Sequence, residues 1–318
     1  MTVGVDIGGT KILGGVVDDG VLVATVRRES PAEEPVAIAD ALADVVRSLQ
    51  VDHDVAAVGI AAAGFIDLDG ANIMFAPHLA WRDEPLHELV EQRIGIPTLV
   101  ENDANAAAWA EYRFGAGQGA RALLMATIGT GIGGGLVLGG SVFRGGFGIA
   151  AEFGHMRVVP QGRLCACGLH GCWETYASGT ALVTRARELA QADPSSAPVL
   201  LELAGGDWRA IDGPIVSEAA TRGDPAARES FADLERWIGE GLASLTASID
   251  PDVIVIGGGV SESAGLDIDA IVHAFRPAQT GVGHRPVPQI RRAVLGNNAG
   301  LIGVADLASA RREARGRL

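Results

Sequence analysis

Three cysteines lie within eight residues and are the only cysteines of the 318-residue chain: Cys165, Cys167 and Cys172. Thiolates at this density chelate one soft ion, and a structural zinc needs four tetrahedral ligands. His170 lies inside the loop, where closing the same ring would be strained. His155 lies ten residues before Cys165 and can return across a hairpin. The spacing therefore predicts a structural zinc held by His155 and the three thiols, with metal-free buried cysteines or a redox pair as alternatives.

A second candidate site is the run Glu101-Asn102-Asp103, which follows a short predicted strand and precedes a predicted helix at residues 104–114. Enzymes that phosphorylate an alcohol need a carboxylate that accepts the hydroxyl proton. Asp103 is the candidate for this base, and a helix N-cap is the alternative. Glu152 and Glu174 are further carboxylates that suit sugar hydroxyls, although either one alone is more typical of a solvated charge.

Two glycine-rich turns have the composition of phosphate-binding loops. Glycine lets backbone N–H groups converge on an anion, threonine adds a hydroxyl donor, and lysine adds a positive charge. Neither turn matches the Walker A pattern or the dinucleotide-binding pattern before a helix. Each follows the first strand of a similar strand–turn–strand unit, which favours a nucleotide over ordinary hairpin turns. Their candidate residues are Asp6, Gly8, Gly9, Thr10 and Lys11 in the first turn, and Gly129, Thr130, Gly131 and Gly133 in the second.

A third glycine run, Gly257-Gly258-Gly259, ends a predicted buried strand. Open α/β sheets bind ligands at the carboxyl ends of their strands. The missing side chains would admit an adenine ring or a ribose there, and a plain strand-to-helix turn is the alternative.

The elements that must position these residues follow one pattern twice. Strands are predicted at 2–7, 12–17 and 21–26, followed by a helix at 32–49 and a strand at 55–61. A strand at 121–128 restarts the pattern, and the later part is mainly helical before a strand at 253–256. A C-terminal helix at 301–312 is predicted to pack on the first domain. We expect two similar α/β domains, residues 1–118 with 299–318, and 119–298 with the zinc loop.

Charge and composition exclude several classes of protein. The chain has 25 basic and 39 acidic residues, a net charge of −14, which is unsuited to nucleic acid. The first residues, MTVGVDIGG, have neither the basic nor the apolar region of a secretory signal. No apolar run approaches the roughly 18 uncharged residues of a membrane helix. We expect a cytoplasmic protein with neither a membrane nor a nucleic-acid partner.

Together these runs resemble the ROK family of bacterial sugar kinases, and the resemblance covers about residues 3–306. It rests on the two glycine turns, on the run at 101–105, on Glu152-Phe153-Gly154-His155 and on the C-x-C-G-x-x-G-C-x-E run of 165–174. The runs at 59–66 (GIAAAGFI) and 75–77 (FAP) are most similar to the ATP-dependent glucokinases of actinobacterial type within that family.

The resemblance implies an α/β, actin-like (ribonuclease H-like) two-lobed fold with the active site in the interdomain cleft. It implies transfer of the γ-phosphate of ATP to the 6-hydroxyl of glucose, with Mg²⁺ on the nucleotide and a homodimer or homotetramer. The two turns would hold the ATP phosphates, and Gly257, Gly258 and Gly259 would border the adenosine. Asp103 would be the base, and the sugar contacts would be Gly64, His78, Asn102, Asp103, Glu152, His155 and Glu174.

One residue departs from the family pattern. His78 stands where the family commonly has asparagine after Phe-Ala-Pro, and imidazole places its donor and acceptor differently from an amide. This leaves sugar selectivity open among glucose, N-acetylglucosamine, N-acetylmannosamine, mannose and fructose. The sequence also leaves open a kinase that uses polyphosphate and a non-enzymatic sugar-sensing protein.

Overall fold

The computed structural model describes residues 1–32, 34–76 and 81–315. Its strands are β1 (Thr2–Ile7), β2 (Lys11–Asp18), β3 (Val21–Glu29), β4 (Ala57–Ala62), β5 (Phe65–Ile66), β6 (Ile73–Phe75), β7 (Arg82–Glu84), β8 (Thr98–Asn102), β9 (Ala122–Ile128), β10 (Ile132–Leu138), β11 (Ser141–Val142), β12 (Val253–Gly257) and β13 (Gln289–Arg292). Its α-helices are α1 (Pro35–Gln50), α2 (Leu86–Ile94), α3 (Asp103–Phe114), α4 (Glu174–Ala177), α5 (Gly179–Ala192), α6 (Pro198–Leu203), α7 (Gly213–Thr221), α8 (Pro225–Ile249), α9 (Ile268–Ala278) and α10 (Ala299–Arg315).

The chain forms two compact units. Unit 1 comprises Met1–Met125, Gly135–Ala151 and Asn297–Leu318, and unit 2 comprises Ala126–Gly134 and Glu152–Gly296. The sequence predicted domain limits at 118/119 and 298/299, which place residues 135–151 with the second domain. These limits stay a prediction.

Unit 1 is built on a sheet with the order β3-β2-β1-β4-β8. β1 and β2 are antiparallel, whereas β1, β4 and β8 are parallel, with Ile7 beside Ala62 and Ala62 beside Asn102. The carboxyl ends of three parallel strands therefore meet at one edge of the sheet. The first glycine turn, the segment after Ala62 and the run 101–103 all begin at this edge, which is where such sheets bind ligands.

Helix α10 packs on this sheet and on α3, as the sequence predicted for the C-terminal helix. Glycines permit the close approach. A Cβ atom on Gly4 would stand 2.1 Å from the backbone oxygen of Leu301, and one on Gly59 would stand 2.1 Å from that of Val304. Any side chain at these two strand positions would push the helix off the sheet.

A second sheet has the order β11-β10-β9-β12-β13, which repeats the plan of the first. β9, β10 and β11 are consecutive neighbours, β10 and β11 are antiparallel, and β12 and β13 are parallel. The internal repetition predicted from the strand–turn–strand pattern is therefore confirmed. Helices α4 to α9 all lie in unit 2.

Several element limits differ from the predicted ones. The second glycine turn is shorter than expected, because β10 begins at Ile132 and so includes Gly133. Helix α3 begins at Asp103 and α1 begins at Pro35. The sheet β5-β6-β7 and strand β13 were not predicted, since strands of two to four residues have too few positions to show alternation. Helix α9 was also not predicted, although its 11 residues are enough to show helical periodicity. No helix among the described residues is long and apolar enough to span a membrane.

Candidate active site and metal centre

Three cysteines and one histidine converge in unit 2. One ligand atom from each of His155, Cys165, Cys167 and Cys172 lies within 4.8 Å of every other. The Nδ1 atom of His155 is 3.7 Å from Sγ of Cys165, and Sγ of Cys167 is 3.6 Å from Sγ of Cys172. Tetrahedral zinc with Zn–S bonds of about 2.3 Å separates its ligands by about 3.8 Å. The group therefore has the atoms and the spacing of a closed zinc site.

The structure separates the two candidate histidines. His155 ends a short 3₁₀-helix whose Gly154 lies against β10, so closely that a Cβ there would stand 2.4 Å from the oxygen of Ile132. His170 is directed elsewhere, with Nδ1 2.9 Å from the backbone oxygen of Gly162. The fourth ligand is therefore available from His155, the histidine that the sequence spacing favours.

Glu174 links this cluster to the second glycine turn. Its Oε1 accepts from Sγ of Cys165 at 2.9 Å and lies 3.7 Å from Nδ1 of His155. Its Oε2 accepts from the N–H of Ile132 at 3.4 Å. Burial, together with this hydrogen bond to Glu174, raises the pKa of the Cys165 thiol. A metal ion bound there would displace that proton and so release Glu174 from the thiol.

Asn102, not Asp103, caps helix α3. The Asn102 side-chain oxygen accepts from the N–H groups of Ala104 and Asn105, and its Nδ2 donates to the oxygen of Gly64 at 3.2 Å. Asp103 is the first helical residue and accepts the N–H of Ala104 through Oδ1 at 2.9 Å. Because Asn102 caps the helix, the carboxylate of Asp103 is not required as the N-cap.

Two carboxylates of unit 1 have raised pKa values. Burial raises the pKa of Asp103, against the lowering effect of backbone N–H donors. The pKa of Asp6 is raised to about 6, first by burial and then by the charge of Asp103, while Lys11 opposes the rise. Perturbed carboxylates at the carboxyl edge of a parallel sheet are typical of functional sites.

Gly64 also lies at this edge, and its backbone passes close to β6. A Cβ atom on Gly64 would stand 2.5 Å from the oxygen of Phe75, so no side chain fits. His78 lies outside the described residues. Glu152 is exposed and precedes the 3₁₀-helix of His155 in unit 2.

Each of the two glycine turns is closed by a backbone hydrogen bond. In the first, the N–H of Gly8 donates to the oxygen of Lys11 at 3.0 Å, and Gly9 and Thr10 form the tip. In the second, the N–H of Gly129 donates to the oxygen of Gly131 at 2.9 Å. Both turns are therefore hairpin connections with accessible backbone, as phosphate-binding loops require.

Helix α5 fixes the second turn from outside. The N–H of Gly179 donates to the oxygen of Gly129 at 2.8 Å, and the hydroxyl of Thr180 donates to the oxygen of Thr130 at 2.7 Å. A Cβ on Gly131 would stand 2.6 Å from Oε2 of Glu174. The turn is thus held by the helix on one side and by the carboxylate on the other.

A cavity of about 800 Å³ lies within unit 2. It brings together two of the runs predicted to hold a nucleotide, since Gly129 and Thr130 line it together with Gly259. Gly258 itself has φ +83° and its Cβ would stand 2.5 Å from the oxygen of Ile128, so it turns the chain into the cavity wall. The volume and the mainly uncharged lining suit a nucleoside.

The sequence did not identify most of this lining. Among the residues missed are Gly179 and Thr180 at the start of α5, Asp212, Pro214 and Ser217 at α7, and Val260 after the third glycine run. Both helix starts carry an N-cap signal, Ser178 before Gly179 and Asp212 before Gly213-Pro214, which marks a helix but not a cavity.

The profile of the ROK family matches residues 2–311. The chain belongs to the ROK family. It is 50% identical over 309 residues to a glucokinase of Streptomyces coelicolor, with 97% of each chain covered. This confirms the resemblance inferred from the motifs.

Solved structures of the ROK family have the same fold. A ROK family glucokinase from Streptomyces griseus, in complex with glucose and AMPPNP, superposes with a TM-score of 0.87 at 52% identity, covering 97% of this chain and 99% of that one. A ROK hexokinase from Thermus thermophilus gives 0.82 at 36% identity, covering 98% and 99%. The fold of this ROK protein is therefore the actin-like sugar kinase fold that the sequence predicted.

Proposed function

We propose that this protein is an ATP-dependent glucokinase that phosphorylates the 6-hydroxyl of glucose. The observation that carries the proposal is the 50% identity to a glucokinase along 97% of both chains. The match in fold to a glucokinase bound to glucose and AMPPNP supports the same substrates. The cavity of unit 2 supports a nucleoside triphosphate as donor, because a polyphosphate would need a basic groove rather than a mainly uncharged one.

We assign the role of general base to Asp103. It accepts the proton of the 6-hydroxyl while that oxygen forms a bond to the γ-phosphorus, and the bond between the γ-phosphorus and the β–γ bridging oxygen breaks to release ADP. The raised pKa of Asp103 brings its proton affinity nearer to that of the attacking group, which improves general-base catalysis. The capping of α3 by Asn102 leaves this carboxylate available.

We propose as sugar contacts the polar groups that the family pattern indicates. Gly64, Asn102 and Asp103 lie at the sheet edge of unit 1, and Glu152, His155 and Glu174 lie beside the metal cluster of unit 2. His155 directs Nδ1 to the cysteines, so Nε2 remains for a sugar hydroxyl. His78 belongs to the proposed set from the family pattern alone.

We assign the two glycine turns to the phosphates and the 257–259 run to the adenosine. Asp6 and Lys11 would face the charged end of the nucleotide, and Thr130 would donate a hydroxyl. Asp6 is a hard oxygen donor whose pKa is raised by burial and by Asp103, so a cation beside it would relieve the repulsion. When bound there, Mg²⁺ would neutralise charge on the transferred phosphoryl group.

The four converging ligands fit zinc, which would be structural because all four positions are filled by protein. Three reduced thiols in such a site suit the cytoplasm, where disulfides are rare. We also propose a homodimer or homotetramer.

The test is turnover by the purified protein with ATP and Mg²⁺ against glucose, mannose, fructose, N-acetylglucosamine and N-acetylmannosamine. We expect glucose to give by far the highest kcat/KM. A higher value for an N-acetyl sugar or fructose would make the named substrate wrong while leaving the kinase reaction in place. Absence of turnover with every sugar, with ATP and with polyphosphate alike, would favour the sugar-sensing alternative.

A further inference from the structure

We propose that Glu101 and Arg144 are positioning residues that hold Asp103 in place for proton transfer. The proposal rests on the proposed kinase function, because Asp103 needs a fixed geometry only if it acts on a substrate. Neither side chain is assigned a contact with substrate. Both belong to unit 1, although 43 residues separate them in the sequence.

Both oxygens of the Glu101 carboxylate accept hydrogen bonds. Oε1 accepts from the backbone N–H of Asn102 at 3.0 Å and from Nδ2 of Asn105 at 3.1 Å. Oε2 accepts from Nε of Arg144 at 2.7 Å and also from Nη2 of the same guanidinium. One buried carboxylate thereby ties the end of β8 and the first turn of α3 to the segment after β11.

Arg144 is itself held in a packed loop. Its backbone oxygen accepts from the N–H of Ala150 at 3.2 Å, and Gly145 and Gly148 adopt φ of +72° and +90°. A Cβ on Gly148 would stand 2.3 Å from the oxygen of Ile66, so the loop lies tightly against β5. The guanidinium therefore provides a fixed point of attachment rather than a mobile surface charge.

The cost of this arrangement indicates a role beyond stability. The side chain of Glu101 is only 2% exposed, and that of Arg144 is 26% exposed. An apolar pair of similar size generally stabilises a buried position at least as well as an ion pair does. What the ion pair adds is a fixed position, because charge-assisted hydrogen bonds from Nε and Nη2 of Arg144 hold Oε2 of Glu101.

Glu101 in turn fixes the residues next to the proposed base. Glu101 fixes the peptide that leads into Asn102, and Asn102 in turn caps α3 and donates to Gly64. Asp103 follows as the first helical residue. A displacement of this strand end by about 1 Å would move the base off the line of proton transfer, and misplacement on that scale costs roughly 100-fold in rate.

The deciding variant is the double substitution Glu101→Leu with Arg144→Leu. It removes both charges together, so it leaves no unpaired buried charge and no change in net charge near Asp103. We expect a lower thermal midpoint, because the N–H of Asn102 and Nδ2 of Asn105 lose their acceptor. In the folded protein we expect kcat lower by about 10- to 100-fold, with KM for glucose and ATP within about threefold. If the double variant folds and its kcat is within twofold of the parent, the pair serves stability alone and the proposal is wrong.

If the double variant does not fold, a single substitution at Arg144 tests the positioning role instead. Arg144→Lys keeps the positive charge but loses the paired N–H donors, so we expect kcat lower by at least about threefold with little change in thermal midpoint. A parent-like kcat in this variant would overturn the proposal. The matched control is Glu202→Gln in the exposed pair with Arg222, which should leave kcat unchanged.

The same assay separates this proposal from the proposed function. A parent protein that phosphorylates no sugar would overturn the proposed function and remove the basis of this inference. A parent that phosphorylates glucose, with kcat preserved in the double variant, would overturn only the positioning role.

Discussion

At the scale of single residues, Asp103 and Asp6 are ordinary carboxylates in an unusual environment. Both lie at the carboxyl edge of a parallel sheet, both have raised pKa values, and the charge of Asp103 raises the pKa of Asp6. Repulsion of this kind is unfavourable in the free protein and is relieved by a cationic or protonated partner. The residues are therefore arranged for a ligand at some expense of stability.

Replacing Asp103 by asparagine should remove the base and keep the shape. We expect kcat to fall by about 10² to 10⁴-fold, while glucose binding measured by calorimetry changes little. Asp52→Asn at an exposed position is the matched control and should keep the parent kcat. Near-normal turnover in the Asp103 variant would exclude this residue as the base.

Replacing Asp6 by asparagine should stabilise the free protein in a pH-dependent way. The folded pKa of about 6 lies above the ordinary 3.8, so the folded state favours the protonated carboxyl. The penalty for ionising Asp6 is absent below pH 3.8 and is complete above pH 6. We expect the variant to gain on the order of 3 kcal/mol in unfolding free energy at pH 7.5 and little at pH 4, by denaturant titration at both pH values. An equal gain at both pH values would show that ionisation is not the cause.

At the scale of elements, the connections after strands determine the site more than the strands do. The end of β12 shows this, because two adjacent glycines have opposite surroundings. A Cβ on Gly258 would stand 2.5 Å from a backbone oxygen at φ +83°, whereas a Cβ on Gly259 has nothing within 4 Å. One glycine is needed for the turn and the other lines the open cavity.

Alanine substitutions at these two glycines should have different effects, one on the stability of the fold and the other on ATP binding. Gly258→Ala should lower the unfolding free energy by about 2–4 kcal/mol, because the chain must shift and the left-handed backbone disfavours a side chain. Gly259→Ala should keep the parent stability and raise KM for ATP. A normal KM for ATP in the second variant would argue against adenosine at this cavity wall.

The metal cluster has two histidines near it in the sequence, His155 at the end of a 3₁₀-helix and His170 between Cys167 and Cys172. His155→Ala should reduce zinc to below half an equivalent in protein purified without chelators, whereas His170→Ala should retain about one equivalent. We also expect weaker glucose binding in the first variant, because the proposed contact from Nε2 of His155 is lost and because, without the ion, the Cys165 thiol holds Glu174. Equal zinc content in the two variants would contradict the assignment of the fourth ligand.

At the scale of the whole molecule, the apolar residues left exposed bear on assembly. β3 is an edge strand of the first sheet, and its Val21 and Val23 side chains are 62% and 48% exposed. Exposed apolar edge strands associate readily, so a soluble protein generally covers or blunts them. Covering by a second copy is consistent with the proposed oligomer.

Light scattering on the purified protein should therefore give two or four times the mass of one chain. Val21→Lys together with Val23→Lys tests whether β3 contributes, since charged side chains on an edge strand oppose pairing. A single-chain mass for the parent would make the proposed oligomer wrong. A parent oligomer that both lysines leave intact would place the interface elsewhere.

Much of this protein follows from the sequence because its signals are local. The strand–turn–strand repeat, the three thiols within eight residues and the run 101–103 each lie within a few residues, where spacing alone limits the chemistry. The sequence also favoured His155 over His170 by loop strain, and the structure brings His155 to the thiols. Gly133 was predicted as part of a turn because a glycine run hides the alternation of β10.

The tertiary structure decided what depends on residues distant in the chain. Whether Asn102 or Asp103 caps α3 depends on backbone angles and on the position of Gly64, 38 residues away. The cavity wall formed by α5 and α7 and the pairing of Glu101 with Arg144 arise only when separated segments pack together. Local spacing fixes which groups a segment offers, but the packing of distant segments fixes which partners those groups meet.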